Sequence, residues 1–137
     1  MSGNNAVLAR NTENAPKCPM SSQTVAFSHY NNLSAQLPIE AKSGKLVSGG
    51  AKEQTKQCLE NIKAIVESVG HVMDDVVKVN LFLKDLSDLN AVDEAYKEFF
   101  PEGVPARRVV GVCNLPKQAL IQIDAIVSNA EGTPPIA

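Results

Sequence analysis

Two strong charges stand inside apolar segments near the end of the chain. Pro105 to Val127 reads as two strands around a turn, with Arg107 at the start of the first and Asp124 near the end of the second. Strands that bury their side chains rarely carry such charges without a partner or a task. If residues 113–118 form the turn, Val112 faces Ala119, and the same register sets Arg107 against Asp124 and Val109 against Gln122. A period of two then places all four on one face. A guanidinium fork can hold a carboxylate through two parallel hydrogen bonds, and an amide beside it can orient a water. The chemistry expected of this cluster is recognition of a small carboxylate. The same residues equally describe a cross-strand ion pair, one that could lie at a subunit edge.

Other groups point less clearly to chemistry. Lys42-Ser43-Gly44-Lys45 lacks the GxxxxGK[ST] spacing of a phosphate-binding loop. Gly49-Gly50 precedes a helix, where it could meet an anion, but it reads as a turn leading into that helix. His29 and His71 fall in turns without metal-ligand spacing and read as solvated. Cys58 lies on an apolar stripe and belongs to the core, whereas Cys113 opens the turn with no histidine placed to activate it. Arg107-Arg108 is the one adjacent basic pair near the hairpin, thin support for a phosphate backbone.

Composition narrows the classes. The 137 residues fit a single domain, and 44% hydrophobic with 20% charged residues is a globular balance. A net charge of −2 gives no reason to expect nucleic acid or an acidic membrane. No apolar run approaches the roughly 18 residues of a membrane span, and Met1 to Arg10 lacks the pattern of a secretory signal. Three cysteines with no CxxC pair favour a reducing cytoplasm and no thiolate zinc site.

The elements that must position these residues follow from periodicity. Residues 1–21 read as a loose arm and 129–137 as a flexible tail. Thr24–Phe27 and Leu33–Leu37 read as short strands, with turn chemistry at His29-Tyr30-Asn31-Asn32. Ala51, Thr55, Cys58, Leu59, Ile62, Ile65, Val66 and Val69 have the spacing of an amphipathic helix that Gly70 stops. Val76–Leu83 alternates as a strand, Ser87 or Asp88 offers an N-cap, and Val92 to Phe100 marks a second helix ended by Pro101 and Gly103. Strands, helix, strand, helix and hairpin make an α+β layer of two helices on one mixed sheet. In the last strand Ile121, Ile123, Ala125 and Val127 share one face, and Leu120, Gln122, Asp124 and Ile126 the other. Two helices cover only one face, so self-association is the expected cover for the second.

At this point the chain resembles a known family. Pro105-Ala106-Arg107, Leu115-Pro116-Lys117 and Ile121-Gln122-Ile123-Asp124-Ala125-Ile126 resemble the signature of the Rid (YjgF) proteins, the reactive-intermediate imine deaminases. The likeness extends through Thr12-Glu13-Asn14-Ala15-Pro16, Ser34-Ala35-Gln36-Leu37-Pro38, residues 54–62 and residues 76–86. It implies a chorismate mutase-like fold, with a mixed six-stranded sheet covered on one face by two helices. It also implies a homotrimer with a central barrel and clefts between subunits. The implied activity is hydrolysis of 2-imino and enamino acids to 2-keto acids and ammonia, without metal or cofactor. Arg107 would grip the substrate carboxylate, and Ser34 lies in the family's Ser-Gly-Gln segment.

Several positions depart from the family pattern. Ser22 stands where a tyrosine precedes Ser-Gln, Gln122 replaces a glutamate that places the water, Val109 a cysteine, Asp93 an asparagine, and Ala35 a glycine. Glutamine can hydrogen-bond a water but cannot accept its proton, although reactive imines need little such help. Arg107 and Gln122 are therefore the expected catalytic pair, with Ser34, Ser22, Asp93, Val109 and Asp124 completing the substrate-binding set. The alternative is an altered trimer that binds carboxylate metabolites or a protein partner without turnover. Ribonuclease or translation inhibition, a label some members carry, fits poorly with the acidic balance and the scarcity of aromatics.

Overall fold

The computed structural model describes residues 7–128. The tail at 129–137 and the first six residues of the arm lie outside the described residues. The long helix α1 (Ala51–Ser68) forms where the apolar spacing places it, and Cys58, Leu59, Ile65 and Val66 are fully buried. Its start is fixed by the Glu53 carboxylate, which accepts the Gly50 N–H at 2.9 Å. Its end is closed by Gly70 at φ +84°, where the amides of Gly70 and His71 donate to the carbonyls of Glu67 and Val66. A second helix, α2 (Leu89–Phe99), buries Val92, Ala95 and Tyr96.

Both helices pack on one face of a six-stranded sheet. Its strands are β1 (Leu8–Arg10), β2 (Thr24–Phe27), β3 (Tyr30–Gln36), β4 (Val76–Leu83), β5 (Ala106–Gly111) and β6 (Ile121–Ser128), in the spatial order β1-β2-β3-β6-β4-β5. Val79, Leu81 and Leu83 of β4, with Ile121, Ile123 and Val127 of β6, are 0% exposed and meet the helices. Truncating Leu81 to alanine would cost about 3 kcal/mol through lost burial and the cavity left behind. On the opposite face Phe82, Asn80, Gln122, Asp124 and Ile126 remain half-buried, as the alternation in β6 predicts.

The final two strands do not form a hairpin. Strand β4 lies between them, parallel to β5 and antiparallel to β6. Arg107 therefore aligns with Val79 and Val109 with Leu81, while Asp124 aligns with Asn80 and Gln122 with Phe82. Register partners share a face, so Arg107 and Val109 fall on the helix side and Gln122 and Asp124 on the open side. The expected single-face cluster is thus split by a whole strand and by the sheet itself. Each helix joins two parallel strands. β4, α2 and β5 make a direct crossover, while β3 and β4 flank β6, which is antiparallel to both.

Smaller departures have local causes. The arm is ordered well before residue 21: β1 pairs with β2, and Gln23, 3% exposed, bonds to it through both its backbone and its amide. Its backbone N–H donates to Asn11 Oδ1, its Oε1 accepts the Thr12 N–H, and its Nε2 donates to the carbonyls of Thr12, Ala15 and Pro16. The turn expected at residues 29–32 is a two-residue link at Ser28-His29, because Phe27 already faces Tyr30. Ser28 accepts its φ of +58°, so β3 starts three residues earlier than its apolar residues suggest. His71 is not solvated but 6% exposed, with Nδ1 2.9 Å from Asp75 Oδ2. Asp88 stands at the N-cap of α2, one of the two residues expected there, but without a side-chain cap bond; Asp85 caps the short turn ahead of it by accepting the Ser87 N–H.

Candidate functional site

Arg107 enters at the start of β5, the strand at one edge of the sheet, just after buried Pro105. Helix α2 presents Asp93 and Tyr96 one turn apart, so both reach the same neighbour. Arg107 Nη1 donates to Asp93 Oδ1 at 2.6 Å, and the guanidinium lies 4.8 Å from the centre of the Tyr96 ring. The ion pair is partly open to solvent, with side-chain exposures of 29% for Arg107 and 34% for Asp93. The tyrosine braces it from below: its ring packs on Phe100 with centroids 4.9 Å apart, and its buried hydroxyl has no hydrogen-bond partner among the described residues. Burial raises the Tyr96 phenol above its ordinary pKa, nearby Arg107 opposes that rise and Asp93 adds to it. Tyrosine 96 is therefore a neutral cation–π platform at physiological pH. Around this pair Lys97, Phe100, Glu102 and Gly103 help to line a cleft of about 380 Å³.

Tyr96 is not among the site residues expected from the sequence, where it falls only within the second helix of Val92 to Phe100. The signal was its i, i+3 spacing from Asp93, since a cation that pairs with one meets the other.

Ser34 belongs to a different neighbourhood. One extra residue in β3 between Leu33 and Gln36 forms a bulge, so Ser34 and Ala35 together oppose Asp124 of β6. The Ser34 N–H donates to the Gln23 carbonyl at 2.8 Å, and its hydroxyl donates to the Ser22 carbonyl at 2.5 Å. Ser22 thus contributes backbone to this corner. A cleft of about 270 Å³ opens there, lined by Cys18, Ser21, Gln23, Ser34, Ala35 and Lys117 among others. Lys117 reaches it from the turn after β5, where its φ is +57°. The thiol of exposed Cys18 has its pKa lowered, first by the Met20 backbone N–H and then by the Ser21 side chain. Cys18 and Lys117 were not among the residues expected here, because the loops that carry them have no periodicity to follow.

Gln122 and Asp124 face outward on β6 between these two regions. Asp124 Oδ1 accepts the Asn80 amide at 2.7 Å rather than a bond from Arg107. Within one chain the candidate residues form two half-sites. Ser34, Asp124 and Gln122 belong to β3 and β6; Arg107, Asp93 and Val109 belong to the β5 edge. Strands β3 and β5 are three strand spacings apart, roughly 14 Å across the sheet. Among the described residues no group of three His, Cys, Asp or Glu side chains is placed to share a metal ion, and no helix is long and apolar enough to cross a membrane.

Comparison with known proteins agrees with this fold. The profile of the family described as Endoribonuclease L-PSP matches residues 12–129. A RutC family protein of Pyrococcus horikoshii is 47% identical over 117 residues, 84% of this chain and 92% of its own. The human 2-iminobutanoate/2-iminopropanoate deaminase is 39% identical over 105 residues, 77% of each chain. The crystal structure of the YjgF gene product of E. coli superposes with a TM-score of 0.83 at 38% identity, covering 88% of this chain and 98% of that one. Fold, residue pattern and relatives agree, and the chain belongs to the L-PSP family, the Rid (YjgF) proteins.

Proposed function

We propose that the protein hydrolyses small 2-imino and enamino acids to 2-keto acids and ammonia, with the substrate carboxylate held by Arg107. The observation that carries this reading is the arginine itself. It is a guanidinium at an open sheet edge, oriented by Asp93 and by the Tyr96 ring, with a cleft beside it. Relatives named as 2-iminobutanoate/2-iminopropanoate deaminases, at about 40% identity, support it. In the reaction the water oxygen bonds to C2 while the C=N electron pair moves to nitrogen. The carbinolamine then expels ammonia, and both protons of the water end on the departing nitrogen. Gln122 hydrogen-bonds that water without taking its proton, and the reactivity of the imine supplies the rest.

The complete site needs more than one copy. We propose a homotrimer in which the open sheet faces meet and the β5 edge of one copy approaches the Ser34 corner of the next. Two features support it: the half-buried apolar residues Phe82 and Ile126 on a face without helices, and the separation of the half-sites within a chain. Sedimentation at three times the 14.6 kDa chain mass is the expected result. A reducing, cytoplasmic setting suits the exposed thiols of Cys18 and Cys113.

The test couples the protein to a dehydratase that releases an imine and follows keto-acid formation. Acceleration by the parent protein, lost in Arg107→Ala, is expected; no acceleration by the parent would sink the proposal. Gln122→Glu restores a proton acceptor beside the water and is expected to raise turnover about tenfold. The inability of Gln122 to take a proton also favours a second reading, a trimer that binds keto acids without turnover. Calorimetric binding of 2-oxobutanoate together with an inactive parent protein would select it.

A further inference from the structure

The guanidinium proposed to hold the substrate already holds a carboxylate of its own. Asp93 Oδ1 sits 2.6 Å from Arg107 Nη1, so the cleft presents a charge-balanced pair rather than a lone cation. A guanidinium carries five N–H donors, and the contact through Nη1 leaves further donors for a second carboxylate. A ligand with only a carboxylate must bring its negative charge within one guanidinium's width of Asp93. A ligand with a cation next to its carboxylate offers Asp93 a partner instead.

We infer that Asp93 is a selectivity residue: it biases the Arg107 cleft toward ligands that carry a cationic nitrogen beside their carboxylate and against plain carboxylates. This role rests on Arg107 being the carboxylate anchor. It separates substrate from product by charge. A 2-imino acid in its protonated form carries C=NH2+ on the carbon that bears the carboxylate, whereas the 2-keto acid carries there a carbonyl oxygen with lone pairs. Asp93 attracts the first and repels the second, so product is discharged as the reaction forms it. The same carboxylate favours the protonated imine over the neutral one, and the protonated form is the better electrophile for water. Lys97 and Glu102 also line the cleft, but one is cationic and the other anionic, so together they leave the balance between Arg107 and Asp93 in place.

Two stable probes of matched carbon skeleton test this by calorimetry at low salt: 2-aminobutanoate, a carboxylate with an adjacent ammonium, and 2-oxobutanoate, a carboxylate alone. The parent protein is expected to bind 2-aminobutanoate more tightly. In Asp93→Asn, which keeps shape and hydrogen-bonding capacity but removes charge, the order is expected to reverse. 2-Oxobutanoate should tighten by about tenfold, a modest Coulombic effect because both groups are one-third exposed. The gain should shrink in high salt. An unchanged ratio of the two dissociation constants in Asp93→Asn overturns the role of Asp93. If Arg107→Ala still abolishes binding of both probes, the anchor survives that result. If Arg107→Ala leaves both affinities unchanged, or the parent binds neither probe, anchor and selectivity fall together.

Discussion

The two half-sites are built to different tolerances. At the Ser34 corner nearly every polar atom is committed: the Gln23 amide bonds to three carbonyls and one N–H, and Ser34 is tied through both its backbone and its hydroxyl. At the β5 edge one ion pair, one-third exposed, and one aromatic ring hold Arg107. Buried networks of the first kind are costly to break, whereas an exposed ion pair contributes little to stability. The first region holds the fold together; the second contributes little to stability and is the proposed ligand anchor.

The sharpest way to break this contrast is to alter one residue on each side and compare activity with stability. Arg107→Ala should lower kcat/KM for the imine by 100-fold or more, about 3 kcal/mol of transition-state stabilisation, while moving the urea midpoint little. Gln23→Ala should do the reverse. It leaves the carbonyls of Thr12, Ala15 and Pro16 without their buried donor, and should cost about 3 kcal/mol in urea unfolding. A large stability loss in the first variant, or none in the second, would erase the distinction. A subtler test uses the thiols. Cys18 has its pKa lowered and is exposed, while burial pushes the Cys58 thiol far up. Iodoacetamide at mildly alkaline pH should label Cys18 in the native protein and reach Cys58 only after unfolding. Native labelling of Cys58 would show that the core beneath the Ser34 corner opens readily.

The same contrast explains what could be read from the sequence. Helix α1, strand β4 and the alternation in β6 were legible because burial on one face imposes a period, and periods survive in a linear text. The neighbour of β5 was not. Two apolar strands in succession look like a hairpin, and nothing local reports that a strand from residues 76–83 will insert between them. The hint was length: residues 112–120 are more than a tight hairpin needs but suit a connection that passes over one strand. The Asp93–Arg107 pair was equally hidden, since it joins a helix to an edge strand across a tertiary contact. The family resemblance placed both residues in the substrate-binding set, but only the fold put them in contact.

The bulge in β3 has one more effect. Before it the odd-numbered residues Asn31 and Leu33 point inward; after it the even-numbered Gln36 does, its carbonyl taking the Cys58 thiol at 3.3 Å. The extra residue thus inverts the parity of the strand midway, so each half obeys its own inside-outside frame. Any graft, deletion or recombination that crosses residues 34 and 35 must conserve their number before it conserves their identity.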